Sequence, residues 1–185
     1  MPRRRDHAGP VDAAALTASL EELKQSGPLP SHFVFDLDYT LWPCWVDTHV
    51  DPPLKRRKDD INTVHDRSGT PLSFFPHVPR YEGSSWKTMP RLKRSEASLS
   101  PRYIYPGSKI RHFKSIQKAL GGNYEDMIFF DDEFRNAEVS RELGVHFVEV
   151  GHSGTDLATF VRGVKEWQAK RRAREGDPNA GSALL

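Results

Sequence analysis

The chain has 185 residues, 37% of them hydrophobic, so it is long enough for one compact domain with tails and too short for two large domains. Its 27 Lys and Arg residues against 25 Asp and Glu leave a formal charge of +2, which predicts no nucleic-acid partner. The sequence has no apolar run that could cross a bilayer, no secretory signal, and a single cysteine, which excludes an internal disulfide. We therefore expect a cytoplasmic protein, with the nucleus as the alternative, and no membrane partner.

Residues 1–30 form an N-terminal extension, in which residues 11–25 have the apolar spacing of an amphipathic helix. Residues 33–37 are a β-branched and aromatic run that predicts a buried strand ending near Asp36. Asp38 follows two residues later, so this strand presents two carboxylates at its carboxyl end. Taken alone, this pair would equally suit the cap of a simple turn.

The second half of the chain alternates between helix and strand. We predict helices at residues 110–120, 133–143 and 157–172, and buried strands at residues 127–130 and 145–150. Asp131 and Asp132 follow the first of these strands, a place that would also suit a solvated helix start. Strands separated by helices predict an α/β fold with a parallel sheet covered on both faces, whose ligands bind beyond the carboxyl ends of the strands. Both acid pairs fall at that edge.

Three or four acids at one sheet edge would repel one another without a cation. Carboxylate oxygens suit Mg²⁺, a hard ion that is commonly held by carboxylates together with substrate phosphate. Lys109 stands immediately before the helix at residues 110–120, where its ammonium can pair with both acid and phosphate, although alone it would be an ordinary surface lysine. The sequence therefore predicts a magnesium site at this edge.

These motifs, in this order, resemble those of the haloacid dehalogenase (HAD) superfamily of aspartate-nucleophile phosphatases. They are Phe33-Val-Phe-Asp-Leu-Asp-Tyr-Thr-Leu41, Lys109 and Ile128-Phe-Phe-Asp-Asp132. A longer stretch around Trp42-Pro-Cys-Trp-Val-Asp-Thr-His49 is similar to the eukaryotic magnesium-dependent phosphatase family, whose members include acid-phosphatase and protein-tyrosine-phosphatase-like proteins. The resemblance covers about residues 31–80 and 103–165.

The resemblance implies a HAD-like, doubly wound parallel sheet of the Rossmann-like type with little or no cap domain. The phosphatase domain would span residues 31–173, with a short flap at about 41–75 that contains a hairpin turn at 66–69. Residues 174–185 would be a disordered tail.

The same resemblance implies the catalytic roles. Asp36 would be the nucleophile that forms an aspartyl-phosphate, and Asp38 the general acid and then the base. Mg²⁺ would be held by Asp36, by the backbone carbonyl of Asp38 and by Asp131, while Asp132 would support the metal or Lys109. Lys109 would brace the nucleophile and neutralise phosphoryl charge.

Substrate contacts are implied for Leu37, Asp38 and Lys109. Trp42 and Trp45 would wall an aromatic leaving group or, alternatively, pack the base of the flap. The expected substrate is a phosphorylated small molecule or phosphoprotein, either phosphotyrosine-like or a small sugar phosphate.

The resemblance also implies a strand after the flap that ends in a phosphate-binding Ser or Thr. Residues 80–102 contain no apolar run that predicts such a strand, so we expect that about one βα unit is lost and assign that hydroxyl to no residue. The alternative function is a catalytically impaired, phosphatase-like binding or regulatory protein, or a defective isoform. A phospho-receiver domain fits less well, because its lysine follows its acids, whereas Lys109 precedes Asp131 and Asp132.

Overall fold

The computed structural model describes residues 13–57, 60–73 and 107–176. Its helices are α1 (Ala13–Ser26), α2 (Val46–His49), α3 (Lys109–Leu120), α4 (Glu138–Leu143) and α5 (Leu157–Arg174). Its strands are β1 (His32–Phe35), β2 (Lys55–Arg57), β3 (Asp60–His65), β4 (Pro71–Ser73), β5 (Met127–Asp131) and β6 (His146–Glu149). Short 3₁₀ helices, Tyr124–Asp126 and Phe134–Ala137, precede β5 and α4. No helix within these ranges is long and apolar enough to span a membrane.

The main sheet is parallel, with the strand order β1-β5-β6. Phe33 pairs with Ile128, and Phe129 pairs with Phe147, so the three carboxyl ends lie at one edge. All five residues of β5 are buried, as expected for a central strand covered on both faces. This architecture confirms the predicted α/β class with a parallel, HAD-like sheet.

Two hydrophobic clusters cover the two faces of the sheet, because successive residues of β5 point to opposite sides. The cluster on the side of α1 and α5 contains Leu23, Ile128, Phe130, Val148, Val150, Val164 and Trp167. The cluster on the side of α3 and α4 contains Phe113, Met127, Phe129, Val139 and Val145. The sheet is therefore enclosed between two helical layers.

Strand β1 differs from the prediction of a fully buried strand. Its residues are half-buried or exposed, and Phe33 keeps 37% of its surface accessible. Among the described strands, β1 pairs with β5 on one side and with no strand on the other. An outer strand of this kind is covered less completely than a central one, and the apolar run alone does not distinguish the two positions.

The predicted helix over residues 133–143 forms only in part. Residues Phe134–Ala137 are a 3₁₀ helix, and regular α-helix begins at Glu138. The tighter turn includes a hydrogen bond from the Asn136 backbone N–H to the Glu133 carbonyl at 2.9 Å. At the other end of the domain, α5 continues through Arg174, a residue that the prediction assigned to the disordered tail.

The predicted flap contains α2 and a small antiparallel sheet of order β2-β3-β4. The turn between β3 and β4 confirms the hairpin predicted at residues 66–69. Thr70 N–H donates to Asp66 Oδ1 at 2.8 Å, and Gly69 adopts a φ of 84°, which suits glycine. The segment 80–102, residues 1–10 and most of the predicted tail lie outside the described residues.

Candidate active site

Asp36 lies at the carboxyl end of β1 because its backbone continues the pairing with β5. Its N–H donates to the Phe130 carbonyl at 2.8 Å, which places the Asp36 carboxylate next to the last residue of β5, Asp131. Asp132 follows immediately. Asp36, Asp131 and Asp132 each offer a carboxylate oxygen, and these oxygens lie within 4.8 Å of one another. The structure thus brings together the acids that the sequence placed on separate strands.

The side chain of Asp131 is fully buried and firmly oriented. Its Oδ1 accepts from the Glu133 N–H and its Oδ2 from Asn136 Nδ2, both at 2.8 Å. Burial, and next the charge of Asp36, raise the pKa of Asp131 to about 7 in spite of these hydrogen bonds and of nearby Lys109. The same two causes raise the pKa of Asp132 to about 6.

Lys109, the first residue of α3, reaches this group of acids. Its Nζ donates a hydrogen bond to Asp36 Oδ1 and lies 3.5 Å from Asp131 Oδ2. The ammonium also lies 5.6 Å from the centre of the Phe129 ring. Burial opposes the charged form of Lys109, but the two carboxylates outweigh it, so its pKa is raised. Lys109 therefore stays protonated beside the acids.

The donor set fits a divalent cation. If all three clustered acids are ionised, one lysine leaves them with two uncompensated negative charges in a partly buried site. The pKa values of Asp131 and Asp132 are raised first by burial and next by repulsion from the charge of Asp36. Carboxylate oxygens without sulfur or nitrogen ligands match the preference of Mg²⁺ for hard donors.

The turn after Asp36 is closed by Leu37, whose carbonyl accepts N–H groups from Thr40, Leu41 and Trp42 at 2.9 to 3.3 Å. Tyr39, at the middle of this turn, has a φ of 51°, an uncommon value for a residue other than glycine. The turn is fixed to the loop before α5 by a 2.9 Å hydrogen bond from Thr155 N–H to the Thr40 carbonyl. The tight turn keeps Asp38 close to the sheet edge.

The Asp38 carboxylate does not belong to the group of three clustered acids. Its Oδ1 accepts a 2.6 Å hydrogen bond from Trp42 Nε1, and the Val46 N–H lies 3.4 Å from both of its oxygens. The indole N–H of Trp42 is thus directed at a site carboxylate.

A cleft of about 710 Å³ opens beside Asp132. Its lining residues are Tyr39, Trp45, His49, Asp132, Glu149, Val150, Gly151, His152 and Arg162. Trp45 is 47% exposed, with its ring stacked on His49 and edge-on to Tyr39. Trp45 therefore lines the cleft next to the acids, and Trp42 is not among its lining residues.

Sequence reasoning missed Asn136 and most of the cleft. Asn136 had a signal, because it ends the run Phe129-Phe-Asp-Asp-Glu-Phe-Arg-Asn136 that carries the family resemblance. Tyr39 and His49 also lie within runs that carry the resemblance, although neither was assigned a role. Arg162 had no such signal, because only the tertiary fold brings it to the cleft.

A parallel α/β sheet with clustered acids and a lysine at its carboxyl edge is the arrangement of a HAD-like hydrolase. The sequence matches the family described as Acid Phosphatase over residues 28–82 and 89–170. Magnesium-dependent phosphatase 1 of Homo sapiens is 39% identical over 155 residues, covering 74% of this chain and 86% of the human protein. A HAD-like hydrolase superfamily protein of Schizosaccharomyces pombe is 38% identical over 163 residues, covering 72% of this chain and 93% of that protein. The chain belongs to the acid phosphatase family of the HAD superfamily.

Family membership makes the protein a phosphatase, as the sequence predicted. The match is interrupted over residues 83–88, within the segment where no phosphate-binding Ser or Thr was assigned. The comparisons give no support to the alternative of a catalytically impaired binding protein.

Proposed function

We propose that this phosphatase hydrolyses phosphate monoesters in two steps through an aspartyl-phosphate on Asp36. The observation that carries the proposal is the position of the Asp36 carboxylate, which Lys109 holds beside Asp131 and Asp132. Mg²⁺ is the cofactor of this enzyme. Asp36, Asp131 and Asp132 would hold the ion, which supplies positive charge to the phosphoryl oxygens when bound.

In the first step, a carboxylate oxygen of Asp36 attacks the phosphorus of the ester. A new P–O bond forms to Asp36 while the bond to the leaving oxygen breaks, and Asp38 gives its proton to that oxygen. The products are the free alcohol and a phosphorylated Asp36. Asp38 suits this role because Trp42 and the turn fix its carboxyl group outside the acidic cluster.

In the second step, Asp38, now ionised, takes a proton from a water molecule as that water attacks the phosphorus. The bond between phosphorus and Asp36 breaks, which releases inorganic phosphate and restores both side chains. Lys109 stabilises the negative charge of the phosphoryl group in both steps, since it remains protonated beside Asp36.

The cleft favours an aryl leaving group such as that of a phosphotyrosine-like ester. Trp45, Tyr39 and His49 offer ring faces and edges beside Asp132, where an aromatic group would be enclosed. A small sugar phosphate is the second candidate, favoured by the polar lining residues Glu149 and Arg162. Comparing kcat/KM for phosphotyrosine and glucose 6-phosphate, before and after Trp45→Ala, tests this preference. A selective loss for phosphotyrosine supports the aryl assignment, and an equal loss for both contradicts it.

The mechanism is tested by mass spectrometry of the full chain after rapid mixing with 4-nitrophenyl phosphate and Mg²⁺. Acid quenching should reveal a phosphorylated peptide containing Asp36, and Asp36→Asn should abolish both this adduct and turnover. A folded Asp36→Asn variant that still turns over at the wild-type rate would disprove the nucleophile assignment. Chelator in place of Mg²⁺ is the matched control for metal dependence.

A further inference from the structure

Trp42, expected either to wall an aromatic leaving group or to pack the base of the flap, donates a hydrogen bond to Asp38. Trp42 Nε1 lies 2.6 Å from Asp38 Oδ1, a short distance for an N–H donor. The two residues also form an isolated β-bridge, so their backbones are held together as well.

We propose that Trp42 is a positioning residue that orients the Asp38 carboxyl group for proton transfer to the leaving oxygen. The inference rests on the proposed role of Asp38 as general acid. Trp42 acts through Asp38, without direct contact with the reacting atoms.

Geometry supports this assignment. The indole N–H engages Oδ1, and the Val46 N–H lies at 3.4 Å, too far for a strong bond, so Trp42 supplies the stronger of these two restraints on the carboxyl group. Because the short bond is to Oδ1 and Oδ2 has only the long contact with the Val46 N–H, Oδ2 remains available to carry the proton. Proton transfer requires the donor within hydrogen-bond reach of the leaving oxygen, so freedom of the Asp38 side chain would lower the rate.

The rigidity of the surrounding turn supports the same inference. The Leu37 carbonyl closes the chain onto Trp42 N–H at 3.3 Å, so Trp42 is anchored to the segment that carries both Asp36 and Asp38. The backbone that carries the indole is therefore restrained relative to Asp38.

The test uses the dependence of kcat/KM on the pKa of the leaving alcohol. Good leaving groups depart with little protonation, whereas poor ones need the acid. We would measure kcat/KM for a series of aryl and alkyl phosphates with wild type, Trp42→Phe and Asp38→Asn. For Trp42→Phe we expect kcat/KM to fall by about threefold with 4-nitrophenyl phosphate and by about thirtyfold or more with alkyl phosphates. The dependence of kcat/KM on the pKa of the leaving alcohol should therefore become steeper.

Trp45→Phe is the matched control, because Trp45 lies in the same loop and contacts Tyr39 and His49. It is expected to alter KM for aryl esters without steepening the dependence on leaving-group pKa. Adding Trp42→Phe to Asp38→Asn should lower kcat/KM little further, because the effects of substitutions in residues that act as one unit are not additive.

The outcomes separate the two proposals. If the dependence of kcat/KM on leaving-group pKa is steeper in Asp38→Asn but unchanged in Trp42→Phe, the inference about Trp42 is wrong. The proposed mechanism is then still supported. An unchanged dependence in Asp38→Asn overturns the acid role of Asp38 and with it the inference. If circular dichroism shows that Trp42→Phe does not fold, 3-benzothienylalanine at position 42 keeps the ring shape and removes only the N–H, and the same criteria apply.

Discussion

The ammonium of Lys109 donates a hydrogen bond to the carboxylate of Asp36, which lies 73 residues earlier in the chain. The same ammonium lies 3.5 Å from the fully buried Asp131. One lysine thus contacts two of the three clustered acids and partly offsets their repulsion. In the proposed mechanism a phosphoryl group adds further negative charge at the same place, so we expect Lys109 to be needed during the reaction as well.

Replacing Lys109 with Met should lower kcat/KM by about a hundredfold to a thousandfold, because a preorganised charge at the phosphoryl group is lost. The matched control is Lys114→Met, an exposed lysine on the same helix. Steady-state kinetics with 4-nitrophenyl phosphate measures both variants. A loss below about threefold for a folded Lys109→Met would contradict the role given to this lysine.

Binding of Mg²⁺ should weaken as the pH falls. The pKa values of about 7 for Asp131 and about 6 for Asp132 in the metal-free protein mean that protons compete with the ion near neutrality. Between about pH 7.5 and about pH 5.5 we expect the apparent Mg²⁺ affinity to fall by about tenfold or more. Isothermal titration calorimetry at several pH values measures this effect directly.

The same shifts affect stability. Because the folded-state pKa values are raised, protonation stabilises the metal-free protein, and this contribution is lost as the pH rises toward about 7. The increase in Tm caused by Mg²⁺ should therefore grow with pH over this range. Glu142→Gln, at an exposed position of α4, is the control and should leave the pH dependence unchanged. An Mg²⁺ affinity that does not vary over this interval would exclude proton competition.

The sequence predicted the meeting of Asp36 and Asp131 because the fold class determines it. Parallel strands share a carboxyl edge, and an acid directly after each apolar run must lie at that edge. The chain order of Asp36, Lys109 and Asp131 resembles that of the HAD superfamily. This resemblance predicted that the lysine contacts the acids. The position of these groups thus depends on topology and local periodicity, both of which are visible in a sequence.

The orientation of side chains was less predictable. Trp42 could wall a substrate, pack the flap or donate a hydrogen bond, since an indole can do all three and spacing does not choose among them. The accessibility of Phe33 depends on which strands flank β1, a tertiary property that its apolar run does not encode. The 3₁₀ turn that carries Asn136 likewise depends on the contacts of Asp131.

Gly163 on α5 should not tolerate a methyl group. A Cβ at this position would lie 2.8 Å from Val148 Cγ2 and 3.0 Å from Phe130 Cε1, because the helix packs closely on the sheet. Overpacking costs about 1–3 kcal/mol, against about 1 kcal/mol gained from the better helix propensity of alanine. Urea denaturation should show that Gly163→Ala lowers the free energy of unfolding.

The control for this substitution is Gly151→Ala, where a Cβ would meet no atom within 4 Å. It should change the free energy of unfolding by less than about 0.5 kcal/mol. Equal stability of the two variants would mean that α5 can move away from the sheet without cost, contrary to the packing of Val148 and Phe130.

His146 should make the protein sensitive to acid. It is 4% exposed, and burial, followed by the charge of Lys170 at 3.1 Å, lowers its pKa to about 4. Because this value lies below that of the unfolded chain, the stability contribution of the neutral histidine is complete above about pH 6.5 and is lost as the pH falls toward about 4. From about pH 7 to about pH 5 we expect a loss of about 2 kcal/mol from this group.

Urea unfolding of wild type and His146→Phe at both pH values tests this contribution. The difference between the two proteins isolates His146 from Asp131 and Asp132, whose protonation has the opposite effect. The wild type should lose more stability on acidification than His146→Phe, whereas His152→Gln, at an exposed histidine, should follow the wild type. Parallel pH profiles for wild type and His146→Phe would show that the buried imidazole accepts a proton at no cost, which its contact with the Lys170 ammonium argues against.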